Sequence, residues 1–127
     1  MIQTPINYKD IIHFNGYTLE YFNSTEICQG GPVVGNIIIN NIHHDEYFGG
    51  PAIFNDGYLY IPMLVNRFLL GRGFKLIRIN LNTQIPETLI KFKYLIYLDH
   101  ITNNRVYYYE DINKTKLTYY DFTKNQI

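Results

Sequence analysis

The 127-residue chain lacks most of the features that mark disulfide scaffolds, helical proteins and membrane spans. It has a single cysteine, Cys28, which has no partner for an internal disulfide or a paired-cysteine metal site. It has no tryptophan and only one alanine, the strongest helix former. Its longest apolar runs, such as 61–65, are far shorter than the roughly 20 residues that a membrane-spanning helix needs. These absences argue against a secreted disulfide scaffold, a helical bundle and a transmembrane protein.

The start of the chain also lacks a recognisable targeting signal. Residues 1–10 contain no basic segment followed by an apolar stretch, so no secretory signal is visible. We therefore expect a cytoplasmic protein without a membrane partner. No catalytic motif, cofactor motif or regularly spaced metal-ligand set is present, so we expect no cofactor, no bound metal and no enzymatic activity.

Aromatic and β-branched residues are abundant, and they predict an all-β fold. The composition is 46% hydrophobic and 17% aromatic, with 13 Tyr and 8 Phe. No stretch keeps a 3.6-residue apolar period for three turns. We expect a single domain over 1–127, an antiparallel meander of about eight short strands that forms a sandwich or an open barrel.

Turn signals predict where the strands reverse. The stretch Phe48–Met63 reads as a hairpin around Asn55-Asp56-Gly57, because these residues tolerate positive φ between two apolar runs. Asn15-Gly16 and Asn103-Asn104 predict further reversals. The span Gly49–Lys93 resembles one blade of a β-propeller in its succession of short strands, although the chain is too short for the usual four to eight blades.

The middle of the chain predicts longer elements. Residues 66–73 read as a loop, and the segment 67–70 is also compatible with a helical turn. Residues 74–82 alternate, with Ile77, Ile79 and Leu81 on one face, and we expect the opposite face, with Arg78, to be solvated. Residues 89–98 alternate again and read as one strand.

Charge is distributed unevenly along the chain. Residues 1–60 contain six Asp or Glu and one Lys, whereas residues 61–127 contain ten Lys or Arg and five Asp or Glu, and the formal net charge is zero. Either the two halves neutralise each other across neighbouring strands, or the acidic half presents a surface to a basic partner. Zero net charge argues against a nucleic-acid partner.

Histidine is the residue type with the most catalytic potential here. The cluster His43-His44-Asp45-Glu46 reads as a solvated polar loop, because clusters of this kind without regular spacing are usually polar connections. On a strand, only His44 with Glu46 or His43 with Asp45 would share a face, and each pair would need distant ligands to bind a metal ion. His13 and His100 are isolated, and His100 has Asp99 beside it. A hydrolase that uses these histidines is the weakest of the functional hypotheses.

Tyrosine is more abundant than core filling requires, because every buried hydroxyl needs a partner, and this favours a binding surface. In size, single-domain all-β build, lack of catalytic motifs and Asn/Ile/Tyr-rich composition, the chain resembles the immunity proteins of bacterial contact-dependent and polymorphic toxin systems. The resemblance implies a non-enzymatic protein that occludes the active site of a cognate toxin, such as a nuclease with a basic surface. The candidate contact residues are Asp45, Glu46, Tyr47, Asp56 and Tyr58.

A second hypothesis remains open. A β scaffold rich in tyrosine and asparagine is also suited to a small ligand such as a sugar, with rings for stacking and amides for hydrogen bonds.

Overall fold

The computed structural model describes residues 3–123, and these residues form eleven strands and no helix, so none that is long and apolar enough to cross a membrane. The prediction of an all-β fold is confirmed. The strands are β1 (Ile11–Phe14), β2 (Tyr17–Glu26), β3 (Val33–Ile39), β4 (Ile42–Phe48), β5 (Ile53–Asn55), β6 (Tyr58–Arg67), β7 (Gly71–Asn80), β8 (Pro86–Lys93), β9 (Tyr97–Thr102), β10 (Arg105–Tyr109) and β11 (Leu117–Asp121).

The strands form two antiparallel sheets. The larger sheet has the order β1-β2-β3-β4-β6-β7-β8, with β5 paired to β6, and it curls into a half-barrel. The smaller sheet has the order β11-β10-β9. Strands β5 to β8 are the segment that resembles a propeller blade, and here they continue directly into the rest of the larger sheet.

Four hairpin turns are built in the same way. In each, two successive residues with positive φ join the strands: Asn15-Gly16, Asn40-Asn41, Asp56-Gly57 and Asn103-Asn104. Asn, Asp and Gly tolerate this left-handed backbone, which matches the twist of the flanking strands. Three of these turns were predicted from the sequence, and the Asn40-Asn41 turn was not.

Two clusters of buried side chains share the central strands. Leu59 and Ile61 of β6, with Ile77 and Ile79 of β7, pack inside the curl of the larger sheet. Tyr60, Phe74 and Leu76 of the same two strands pack against the smaller sheet, around Leu98, Val106 and Tyr108. Both faces of β6 and β7 are therefore buried.

The expectation of a solvated face on β7 is wrong at Arg78. Its side chain is buried, with the residue 6% exposed, because β9 to β11 return over this face of the larger sheet. Alternation in the sequence correctly assigned Arg78 to the face opposite Ile77. It could not show that a distant segment covers that face.

Three local predictions also need correction. Strands β6 and β7 run almost to the tip of their hairpin, so the predicted loop at 66–73 is reduced to the three residues 68–70. The predicted strand 89–98 breaks at residues 94–96, where the chain crosses to the smaller sheet. The predicted loop at 43–46 is part of β4, because the Asn40-Asn41 turn pairs this polar segment with β3.

Two buried tyrosines pack in the core of the half-barrel, and each donates a hydrogen bond to a backbone carbonyl. The Tyr8 hydroxyl donates to the Val33 carbonyl at 2.7 Å, and the Tyr21 hydroxyl donates to the Gly49 carbonyl at 2.7 Å. Burial raises the pKa of the Tyr21 hydroxyl well above its ordinary value, and the neighbouring Tyr8 adds to the effect. Burial, and then the charge of Asp10, raise the pKa of Tyr8 as well.

These shifts predict a steep loss of stability in alkali. Below about pH 10 tyrosine is protonated in both the folded and unfolded chain, and above it the unfolded chain loses protons that folded Tyr8 and Tyr21 retain. Above about pH 10 the free energy of unfolding should therefore fall less steeply with pH in Tyr21→Phe than in the unmodified protein. The difference in slope should be about 1.4 kcal/mol per pH unit, measured by urea denaturation at several pH values. The exposed Tyr119→Phe serves as the control, and equal slopes in both variants would contradict the prediction.

Candidate functional site

A bulge in β4 contains three of the five predicted contact residues. In the pairing of β3 with β4, Ile37 lies opposite His44 and Gly35 lies opposite Phe48. One residue of β3, Asn36, therefore faces three residues of β4, namely Asp45, Glu46 and Tyr47. Bulges bend a strand and redirect its side chains, and they are over-represented next to functional sites.

Asn36 holds this bulge in place. Its side-chain amide donates to the carbonyl oxygens of Asp45 and Glu46, both at 2.9 Å. The side-chain Oδ1 of Asn36 accepts from the Asn23 Nδ2 at 3.2 Å, at a second irregularity, where β2 and β3 pair. Gly35 is required there, because a Cβ would lie 2.9 Å from the Phe22 carbonyl oxygen. The two irregularities thus share one hydrogen-bonded support.

The side chains of the bulge are presented to solvent. Asp45, Glu46 and Tyr47 are all exposed, Tyr47 by 42%. Within residues 3–123 no ion pair involves Asp45 or Glu46, and the three ion pairs of Lys or Arg with Asp or Glu lie between residues of the second half of the chain, as does the contact of His100 with Asp99. The charges of the two halves are therefore not neutralised by direct pairing in the described part, and the acidic groups remain available.

Asp56 and Tyr58 lie at the β5–β6 turn, which approaches β4 through the β7–β8 turn. The Leu81 amide of that turn donates to the Gly57 carbonyl at 3.0 Å, and the Gln84 side chain bonds the His44 ring at 2.8 Å. Asp56 is exposed, whereas Tyr58 is half-buried. The five predicted contact residues thus include four that face solvent and one that is partly covered.

Arg78 is the residue that covers Tyr58. The carbon at the centre of its guanidinium lies 4.2 Å from the centre of the Tyr58 ring and 5.2 Å from that of Phe122. Its Nε donates to Glu87 at 2.7 Å, and its Nη1 donates to the Tyr60 hydroxyl at 3.3 Å. Burial alone would lower the pKa of Arg78, but these hydrogen bonds outweigh it, so the pKa rises. The cation is held firmly between the two sheets.

A cavity of about 400 Å³ opens beside this cation. Its two sides come from hairpin turns of different sheets, with Asn55 and Asp56 on one and Asn103 and Asn104 on the other. The remaining lining residues are Tyr58, Tyr60, Arg78, Ile101, Thr102 and Phe122. Amides, one carboxylate and aromatic rings therefore meet in one space of ligand size.

The histidines do not converge. The rings of His13, His43 and His44 contact Thr18, Phe22 and Gln84 respectively. His100 bonds Asp99 at 2.6 Å and stacks on Tyr107 with a centroid separation of 4.5 Å. Cys28 is exposed. Residues 3–123 contain no group of three or more His, Cys, Asp or Glu that could hold a metal ion.

Sequence reasoning missed two residues on which the site depends, Asn36 and Arg78. Asn36 interrupts the apolar run 33–39, and a polar residue inside such a run was an available signal for a local irregularity. Arg78 gave no such signal, because its alternation with isoleucines is what a solvated strand face also shows.

Loss of the Asn36 amide should loosen the bulge. We expect Asn36→Ala to lower the free energy of unfolding by about 1–2 kcal/mol, since two carbonyl oxygens lose their donor. Urea denaturation measures the change, and hydrogen exchange at the amides of 45–47 shows whether it is local. Asn82→Ala is the control, because Asn82 is exposed and its backbone amide, which donates to the Asn80 side chain, is kept in the variant. A loss equal to that of the control would contradict the assigned role of Asn36.

Comparisons of the chain with protein-family models, with curated proteins and with solved structures found no match.

Proposed function

We propose that the protein is a non-enzymatic binding protein that neutralises a partner protein with a basic surface, and that the bulge of β4 is its principal contact. The observation that supports this most directly is the pair of exposed, unpaired carboxylates of Asp45 and Glu46 on a backbone fixed by Asn36. A rigid support reduces the entropy lost on binding, which favours affinity.

Charge and aromatic content both suit a protein partner. Acidic groups that lack internal partners attract a basic surface over a distance and raise the association rate. Tyr47, next to them, offers an amphipathic ring of the kind that is enriched at interfaces. Asp56 extends the acidic character to the β5–β6 turn, which contacts the β7–β8 turn bonded to His44.

The resemblance to immunity proteins makes a bacterial toxin the specific partner in this proposal. A toxin that acts on nucleic acid needs a basic cleft to bind phosphates, and an acidic protein surface is complementary to such a cleft. The inhibitor then needs no chemistry of its own, because it occupies the surface where the substrate would bind. Cytoplasmic localisation is part of the same proposal.

Reversal of charge on the bulge tests the contact. Asp45→Lys combined with Glu46→Lys should weaken partner binding by about 10-fold or more, chiefly through slower association at low salt. The thermal midpoint should stay unchanged, because both side chains are exposed and unpaired. Binding is measured against the purified product of the neighbouring gene, whose toxicity when expressed alone is established first.

Asp10→Lys combined with Glu20→Lys provides a matched control, since both are exposed acids in the same half of the chain and the formal charge changes by the same amount. Equal weakening by both changes would assign the effect to overall charge and reject the bulge as the contact. A neighbouring gene product that is harmless alone and does not bind would reject the proposal of an immunity protein.

The cavity beside Arg78 supports small-ligand binding as a second candidate function. Asn55, Asn103 and Asn104 offer amide donors and acceptors, Asp56 offers a carboxylate that accepts from paired hydroxyls, and aromatic rings supply apolar surface. This combination suits a neutral sugar better than an anion, because Glu87 already pairs with the cation and Asp56 adds negative charge.

Asn104→Gly tests this candidate without disturbing the turn. Glycine accepts the positive φ of 64° at this position, so only the amide is removed. If a panel of neutral mono- and disaccharides includes a ligand, that sugar should raise the thermal midpoint of the native protein, and the shift should shrink in the variant. Asn41→Gly, in the β3–β4 turn, is the control. Absence of a shift with every sugar would contradict this function.

A further inference from the structure

The tip of the β6–β7 hairpin departs from the construction of the other turns. Residues 68–70 are Phe-Leu-Leu, and Phe68 is 91% exposed, Leu69 89% and Leu70 49%. Monomeric proteins rarely leave adjacent large apolar side chains in water without a role. No other turn between strands in the described residues exposes an apolar cluster of this kind.

The backbone of the tip is also unfavourable for the residue it carries. Leu69 has a φ of 72°, in the left-handed region where a leucine side chain is strained. The four two-residue turns place Asn, Asp or Gly at such positions. The chain thus tolerates both strain and exposed apolar surface at a single turn, and the combination indicates selection for a contact made by the tip.

Positive charge surrounds the tip. Arg67 and Arg72 are exposed and lie on either side of the three apolar residues. In the register of the two strands, Arg72 lies opposite Asn66. The hairpin over residues 58–80 contains no Asp or Glu, and Arg67, Arg72 and Lys75 lie in the half nearer the tip. Arg67 also donates to the Lys91 carbonyl at 3.2 Å, which brings Lys91 of β8 beside the tip, whereas Lys93 is paired with Glu110 at 3.4 Å.

We propose that this tip inserts into the surface of a membrane that contains anionic lipid. Apolar side chains that protrude beyond a ring of cations match a bilayer interface, where acyl chains accept the former and anionic headgroups attract the latter. A protein interface usually surrounds its apolar centre with a polar rim of mixed hydrogen bonds. The rim here consists of cations, so the lipid surface is the better match.

The proposal departs from the expectation of a protein without a membrane partner, which was drawn from the lack of a long apolar run and of a secretory signal. It is also independent of the acidic bulge on β4, because the two features carry opposite charge. A protein with both features would hold its basic partner while resting on an anionic lipid surface.

Insertion can be observed directly because the chain has no tryptophan. Phe68→Trp places a single reporter at the tip, and its emission should shift to shorter wavelength when vesicles of phosphatidylcholine with about one-third phosphatidylserine are added. Ile85→Trp is the matched control, since Ile85 is 64% exposed in the turn at the opposite end of β7. Emission from this control should not change.

Sedimentation of the unmodified protein with the same vesicles gives the second readout. Binding should be strong with anionic vesicles, weak with phosphatidylcholine alone, and reduced by salt. Phe68→Ser combined with Leu69→Ser should reduce the bound fraction at least several-fold, as should Arg67→Gln combined with Arg72→Gln.

Leu69→Asn separates binding from folding. Asparagine relieves the strain of the left-handed backbone, so this variant should have a higher thermal midpoint and yet bind vesicles less. Absence of vesicle binding by the unmodified protein would overturn the proposal, as would binding that persists in the double serine variant. Loss of partner-protein binding in that variant, without vesicle binding by the native protein, would assign the tip to a protein contact instead and reject the membrane.

Discussion

Burial of both faces of β6 and β7 is the constraint on which the rest of the structure depends. One face closes the inside of the half-barrel, and the other closes the space beneath the smaller sheet. A polar group in the part of a strand that is covered on both sides needs partners inside the protein, and in β7 this applies to the buried Arg78, whereas Arg72 near the hairpin tip is exposed. Arg78 satisfies this requirement through Glu87, Tyr60 and the rings of Tyr58 and Phe122, of which Phe122 directly follows β11 of the smaller sheet.

Departures from regular pairing occur in both sheets, where β2 and β4 pair with β3, where β7 pairs with β8 and where β9 pairs with β10. Asn36 shows how such a departure is stabilised: its amide supplies the donors that two bulged carbonyl groups would otherwise lack. The exposed acids of the bulge therefore rest on an ordered backbone, which is the physical basis for the proposed contact.

The uneven distribution of charge along the sequence is not removed by folding in the described residues. The acidic first half and the basic second half lie in one half-barrel and its covering sheet, yet the ion pairs among residues 3–123 form within the second half. Because direct neutralisation across the halves is lacking in this part, an acidic bulge and a basic hairpin tip coexist on one molecule. A molecule with two such poles is suited to binding surfaces of opposite sign.

Local chemistry in the sequence determined the fold class and three of the four two-residue turns. Asn15-Gly16, Asp56-Gly57 and Asn103-Asn104 specify tight reversals because their residues accept positive φ at little cost, and aromatic and β-branched residues specify strands. The sequence placed Asp45, Glu46 and Asp56 in an acidic half of the chain, in which Lys9 is the single Lys or Arg, and it left open whether the basic half neutralises them.

Tertiary structure alone decided which strand faces are covered and how the site is built. Arg78 is buried because β9 to β11 return over β7, a contact between segments distant in sequence that alternation cannot encode. The bulge at 45–47 depends on the register between β3 and β4, and a polar segment read as a loop became a strand for the same reason. Local patterns specify backbone conformation, whereas register and coverage follow from packing among distant segments.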